Sequence, residues 1–163
     1  MLKQPASHEW ATPQEFFDTL NGEFQFTLDA AADESNHKTE RYYGFGGLGL
    51  SGLAHSWSGE VVWCNPPYGT FIGDWVSKAH EESTRGTTVV MLIPARTDTA
   101  YWHDYCMRAA EIRLVRGRLV FGESANSAPF PSAVVVFRPG WFGTPKLSAI
   151  ERSGQSVMLS DAA

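Results

Sequence analysis

Residues 60–68 read EVVWCNPPY, a short apolar run that halts at an asparagine, two prolines and an aromatic ring. Val61 to Cys64 suit a buried strand. The two prolines fix φ and remove amide donors, so the strand ends there. Residues 87–93, TTVVMLI, form a longer apolar run, the pattern of a strand covered on both faces. Between these runs, Phe71, Trp75 and Ala79, with Ile72 beside them, recur at helical spacing and predict an amphipathic helix over residues 71–83. Strand, helix and strand in this order predict an α/β domain with a mostly parallel sheet. Ligands of such sheets sit beyond the carboxyl ends of the strands, so Asp29, Asn65 and Pro94, each at such an end, mark where a site is expected.

Working outward, Thr12-Pro13 before QEFFDTL reads as a helix start, with Thr12 as cap, Pro13 at the first helical position and Glu15 at a capping-box offset. Glu23 to Leu28 alternates Phe24 and Phe26 with polar residues, which predicts a strand ending at Asp29, and a short helix is expected from Ala30 to Asn36. Arg41 to Gly59 turns to glycine, serine and aromatics, the composition of a loop. A helix is predicted over Thr99–Ala110, and two closing strands over Ile112–Phe121 and Ala133–Phe137. Residues 1–143 are read as a single domain and residues 144–163 as a weakly patterned tail.

The chain has 163 residues, 43% hydrophobic and 19% charged, enough for one compact core. No apolar run approaches the ~20 residues of a membrane span, and MLKQPASHEW has no secretory core, so a cytoplasmic product without a membrane partner is expected. Cys64 and Cys106 are unevenly placed, which argues against a disulfide framework or a zinc centre. The net charge of −5 is unlike the basic footprint of a nucleic-acid binder. The carboxylates, however, concentrate between Glu9 and Glu40, while Arg96, Arg108, Arg113, Arg116, Arg118 and Arg138 lie later, so a locally basic face is compatible with the total.

Asn65-Pro66-Pro67-Tyr68 carries the chemistry. As a plain rigid turn it explains the prolines but neither the asparagine nor the ring. An exocyclic amino group on a nucleic-acid base is a poor nucleophile because its lone pair is delocalised into the ring. Two neutral acceptors on its two hydrogens, the Asn65 side-chain oxygen and the Pro66 carbonyl, favour the tetrahedral state and free that lone pair to face a sulfonium methyl. Tyr68 offers a flat face for an extruded base, a contact worth about 1–3 kcal/mol. The stiff diproline, Pro66 and Pro67, holds these groups in line.

The chain resembles the small phage-type DNA N6-adenine methyltransferases, the Dam-like group. The resemblance runs from about Trp10 to Phe137 and rests on ordered pieces. They are Trp10-Ala11-Thr12-Pro13, Phe26 to Ala32 with Asn36, Leu53 and Trp57, Trp63 to Tyr68, Leu92 to Thr99, Arg116 to Leu119 with Phe121, and Pro129 to Ala133. It implies a minimal Rossmann-like methyltransferase fold with an antiparallel closing strand, S-adenosylmethionine as donor, and DNA adenine, flipped out of the stack, as acceptor in a bacterial or phage-infected cell. It also implies that Asn65, Pro66, Pro67 and Tyr68 form the catalytic loop, and that Trp10, Thr12, Pro13 and Asn65 border the cofactor. Asp29, Ala30 and Ala31 correspond to the first cofactor loop. From the residues alone, Thr12-Pro13 reads first as a helix cap, and Asp29 is equally a strand-end cap.

Only 36 positions separate Asp29 from Asn65 (65 − 29), too few for the extra strands of larger methyltransferases, so Asp33, Glu34 and Glu40 stay open as ribose-binding candidates. Gly44 to Gly49 matches GxGxxG, and from Phe45 the FxGxG of larger relatives. No strand pattern precedes it and no helix pattern follows, so a loop beside the pocket is expected. His8, His37, His55, His80 and His103 show no metal-ligand spacing. Arg96 and Arg118 are the expected phosphate or base contacts. Two alternatives keep part of this reading: the same transfer to an RNA base or a protein glutamine, and a silent relative that only binds nucleic acid.

Overall fold

The structure, a computed structural model, describes residues 10–123 and 126–158; His8, Glu9 and the last five residues of the expected tail lie outside them. Six strands form one mixed sheet: β1 (Leu28–Asp29), β2 (Val61–Cys64), β3 (Thr88–Pro94), β4 (Glu111–Val115), β5 (Ser132–Phe137) and β6 (Lys146–Ile150), in the spatial order β1-β2-β3-β5-β4-β6. β1, β2 and β3 run parallel, β5 is antiparallel to β3 and β4, and β6 is parallel to β4. The antiparallel strand expected to close the sheet therefore lies inside it. All six of its residues are buried, with both faces covered and β3 and β4 paired along its two edges. The edge is taken instead by β6, from the stretch read as tail, whose short amphipathic pattern is too weak to stand out alone.

The strands alternate their side chains between two cores. One face packs Val90, Leu92, Val134 and Val136 under α1 (Gln14–Phe24), which contributes Phe16, Phe17 and Leu20. The other packs Val89, Met91, Ile93, Val135 and Phe137 against α2 (Ile72–Thr84), with Trp75, Val76 and Ala79, and against Trp102 of α3 (Ala100–Asp104).

Several expected elements end early, each for a local reason. α1 continues to Phe24, and Gln25 closes it in the left-handed region (φ 56°) with its amide on the Asn21 carbonyl. The Phe26 amide is donated to Asn21 Oδ1 at 2.8 Å and is unavailable to a ladder, so β1 is two residues rather than a strand from Glu23. The helix expected over Ala30 to Asn36 does not form: the His37 amide closes a turn on the Asp33 carbonyl. β4 stops at Val115 because the chain turns through Gly117 at φ 79°, although Leu119 and Phe121 remain buried. The helix expected to Ala110 stops at Asp104, where Tyr105 leaves helical geometry, and a single 3-10 turn follows over Cys106–Arg108. Phe71, expected inward, caps α2 and is 67% exposed.

Candidate active site

β1, β2 and β3 end side by side, and the residues after them form the site. Asn65 follows β2 directly. Its Nδ2 donates to the Trp10 carbonyl at 2.7 Å and to Thr12 Oγ1 at 2.9 Å. A carbonyl only accepts, so the nitrogen of the amide must face Trp10 and the oxygen must point away. That oxygen, Asn65 Oδ1, is buried and has no hydrogen-bond partner among the described residues. Such an acceptor costs about 1–3 kcal/mol until a donor reaches it. Thr12 is therefore not the helix cap that its spacing predicts; α1 has no side-chain cap, and Pro13 simply precedes it with a preset φ.

Tyr68 donates its hydroxyl to the Leu92 carbonyl at 2.9 Å. Burial, with the Cys64 thiol nearby, holds its phenol well above the ordinary value, so it stays neutral. Its ring stands in an aromatic cluster. Trp10 lies 6.1 Å away at 28°, Phe130 5.5 Å away at 81° and Phe121 6.1 Å away at 88°. Sequence pattern gave Phe121 and Phe130 no role in the site, because their burial in a segment without regular structure hides them from periodicity. The Arg96 guanidinium lies 6.0 Å over the Phe130 ring, which brings this arginine to the cluster. Ser132, also unforeseen, opens β5 opposite Pro94, and its buried hydroxyl has no partner among the described residues.

Asp29 is 2% exposed, and its two oxygens accept from the amides of Ala31 (3.3 Å) and Lys38 (3.0 Å). Its contacts are those of a strand-end cap that folds the following loop. Burial raises its pKa to about 6, against the opposing pull of those two amides. The Ala30 amide bonds to the Trp63 carbonyl, tying this loop to the strand that carries Asn65. Residues 41–45 run alongside: the Asp29 amide donates to the Arg41 carbonyl, and that of Ala32 to the Tyr43 carbonyl. Gly44 (φ 138°) leaves no room for a side chain, since a Cβ there would stand 1.6 Å from the Ala32 carbonyl oxygen. The glycine-rich stretch thus packs onto the Asp29 loop and opens no helix.

Arg118 is placed elsewhere, on an open cavity of about 300 Å³ with Pro13, Glu15, Leu119, Val120, Arg152 and Ser153, and bonds the Ala128 carbonyl at 3.2 Å. Ion pairs sort the remaining arginines. Arg113 and Arg138 are held by Glu23 and Glu111, Arg41 by Glu60, Arg85 by Glu81 and Arg116 by Glu151. Among the described residues no ion pair holds Arg96, Arg108, Arg118 or Arg152.

A family model described as DNA N-6-adenine-methyltransferase (Dam) matches residues 1–155. A curated relative, a DNA N-6-adenine-methyltransferase of Escherichia phage T1, is 35% identical over 105 residues, covering 63% of this chain and 42% of the relative. The match thus spans less than half of that relative's length. With a family match over nearly all of its residues and the tetrapeptide in place at the end of β2, the chain belongs to the DNA N-6-adenine-methyltransferase (Dam) family.

Proposed function

We propose that this chain transfers a methyl group from S-adenosylmethionine to the N6 amino group of adenine in DNA. The observation that carries the reading is the asparagine amide: both of its hydrogens are engaged by Trp10 and Thr12, and its oxygen is left as an unpaired acceptor. An amino group is the donor such an oxygen lacks. Asn65 Oδ1 and the Pro66 carbonyl take the two N6 hydrogens and draw the lone pair out of the ring. Tyr68 supplies the flat face that a flipped base stacks on, backed by Trp10, Phe121 and Phe130, which pack against its ring. When bound, the donor would supply an electrophilic methyl on a positively charged sulfur, and Asn65 and Pro66 would hold the amino nitrogen towards it.

The sheet is read as a minimal Rossmann-like methyltransferase fold, with residues 1–143 as its domain and β6 added at its edge. Pro13, Ala30, Ala31 and Asn65 would border the donor, at the end of the sheet where such folds hold ligands. Asp29 folds that loop through the Ala31 and Lys38 amides and stands with these residues beside the donor. Arg96 and Arg118, exposed and outside any ion pair among the described residues, are the phosphate contacts. Labelled donor incubated with separate DNA, RNA and protein pools tests the assignment. Label is expected in DNA, as N6-methyladenine, and Asn65→Ala should lower transfer on the order of a hundredfold or more, as removal of a transition-state hydrogen-bonding group does. Label in RNA or protein instead, or wild-type turnover by the alanine variant, would remove the reading.

A further inference from the structure

We infer that Thr12 is a positioning residue for this reaction, the second half of a lock that fixes the side-chain amide of Asn65; the inference rests on the function proposed above. A single hydrogen bond from Nδ2 to the Trp10 carbonyl leaves the amide free to pivot about that bond. The second bond, 2.9 Å to Thr12 Oγ1, sets the plane of the amide and hence the direction of Oδ1. Thr12 is 4% exposed, so water does not compete for the position. Its hydroxyl is available because α1 begins after Pro13 and takes no side-chain cap from it. The lock and the aromatic walls also share a residue: the carbonyl of Trp10 holds the amide while its indole faces Tyr68, Phe121 and Phe130. The amide direction and the stacking surface are therefore set by one short segment ahead of α1.

Thr12→Val keeps the shape and removes the acceptor; Thr12→Ser keeps the acceptor and removes a methyl. Two readouts are taken on each: steady-state methyl transfer to DNA, and the solvent exchange of the Asn65 side-chain amide protons followed by NMR. Thr12→Val is expected to lower kcat by roughly ten- to a hundredfold with KM for DNA and donor affinity within about twofold, and to speed exchange of the Asn65 amide. Thr12→Ser is expected to stay near wild type in both. Should Thr12→Val fold poorly, Thr12→Ala gives the same comparison. Unchanged amide exchange in the valine or alanine variant overturns the lock. So does a loss confined to donor affinity, which would make Thr12 a cofactor contact. If the wild-type chain does not methylate DNA at all, the proposed function fails, while the exchange comparison still decides whether Thr12 holds Asn65.

Discussion

Asp29 carries an ionisable group into a place where ionisation is costly. Burial raises its pKa to about 6 from the ordinary 3.8, and the Lys38 and Ala31 amides only partly offset this. The protonated form is therefore favoured by the fold. Its contribution to stability is complete below about pH 3.8 and is lost as pH rises through about 6. Asp29→Asn removes the titration, so the stability of wild type minus that of the variant should fall by about 2 kcal/mol between pH 4 and 7, at roughly 1.36 kcal/mol for each pKa unit expressed in that window. Urea unfolding across that range checks it, and a constant difference would mean that Asp29 does not carry the shift. The sequence allowed Asp29 two roles at equal weight, and its contacts match the cap. Thr12 went the other way, since the cap its spacing predicts is not formed. Both depend on which donors arrive near a short polar side chain, and that is not a local property.

Among the elements, the type of the longer ones was legible, while the ends, the helix expected after Asp29 and the strand β6 were not. β3 and β5 are near-continuous apolar runs, and burial on both faces explains the pattern directly. The ends were decided by single groups, such as the Asn21 side chain that takes the Phe26 amide from β1. The long loop of residues 41–59 was legible as a loop, but its anchoring was not. Glu82, on α2 and 1% exposed, accepts from the Trp57 amide at 3.1 Å and pairs with Lys78 at 2.8 Å, while the Trp57 indole bonds the Gly52 carbonyl at 2.9 Å. Glu82→Ala strands the buried Trp57 amide and should cost about 1–3 kcal/mol, read as a lower denaturant midpoint at unchanged slope. A change within a few tenths of a kcal/mol would show that the loop is held by apolar packing alone.

At the scale of the whole molecule, a net charge of −5 is compatible with the nucleic-acid substrate proposed above, because Arg96, Arg108, Arg118 and Arg152 stand outside any ion pair among the described residues, and Arg96 and Arg118 are the two proposed to meet phosphate. If each meets a phosphate, Arg96→Ala and Arg118→Ala should each weaken DNA binding and flatten its dependence on log salt by roughly 0.9 for every phosphate no longer neutralised. Titrations at several salt concentrations check this, and a variant keeping the wild-type slope identifies an arginine that touches no phosphate. The sequence by itself determined the α/β class, the strand that ends at Asn65 and the family, because apolar period, proline chemistry and motif order are properties of neighbouring residues. Only the tertiary structure decided that Thr12 grips Asn65 across 53 positions, that β5 lies inside the sheet, and that Phe121 and Phe130 pack against the ring of Tyr68. A hydroxyl, a strand edge or a ring takes its partner from whatever the fold brings within a few ångströms, and sequence distance carries no record of that.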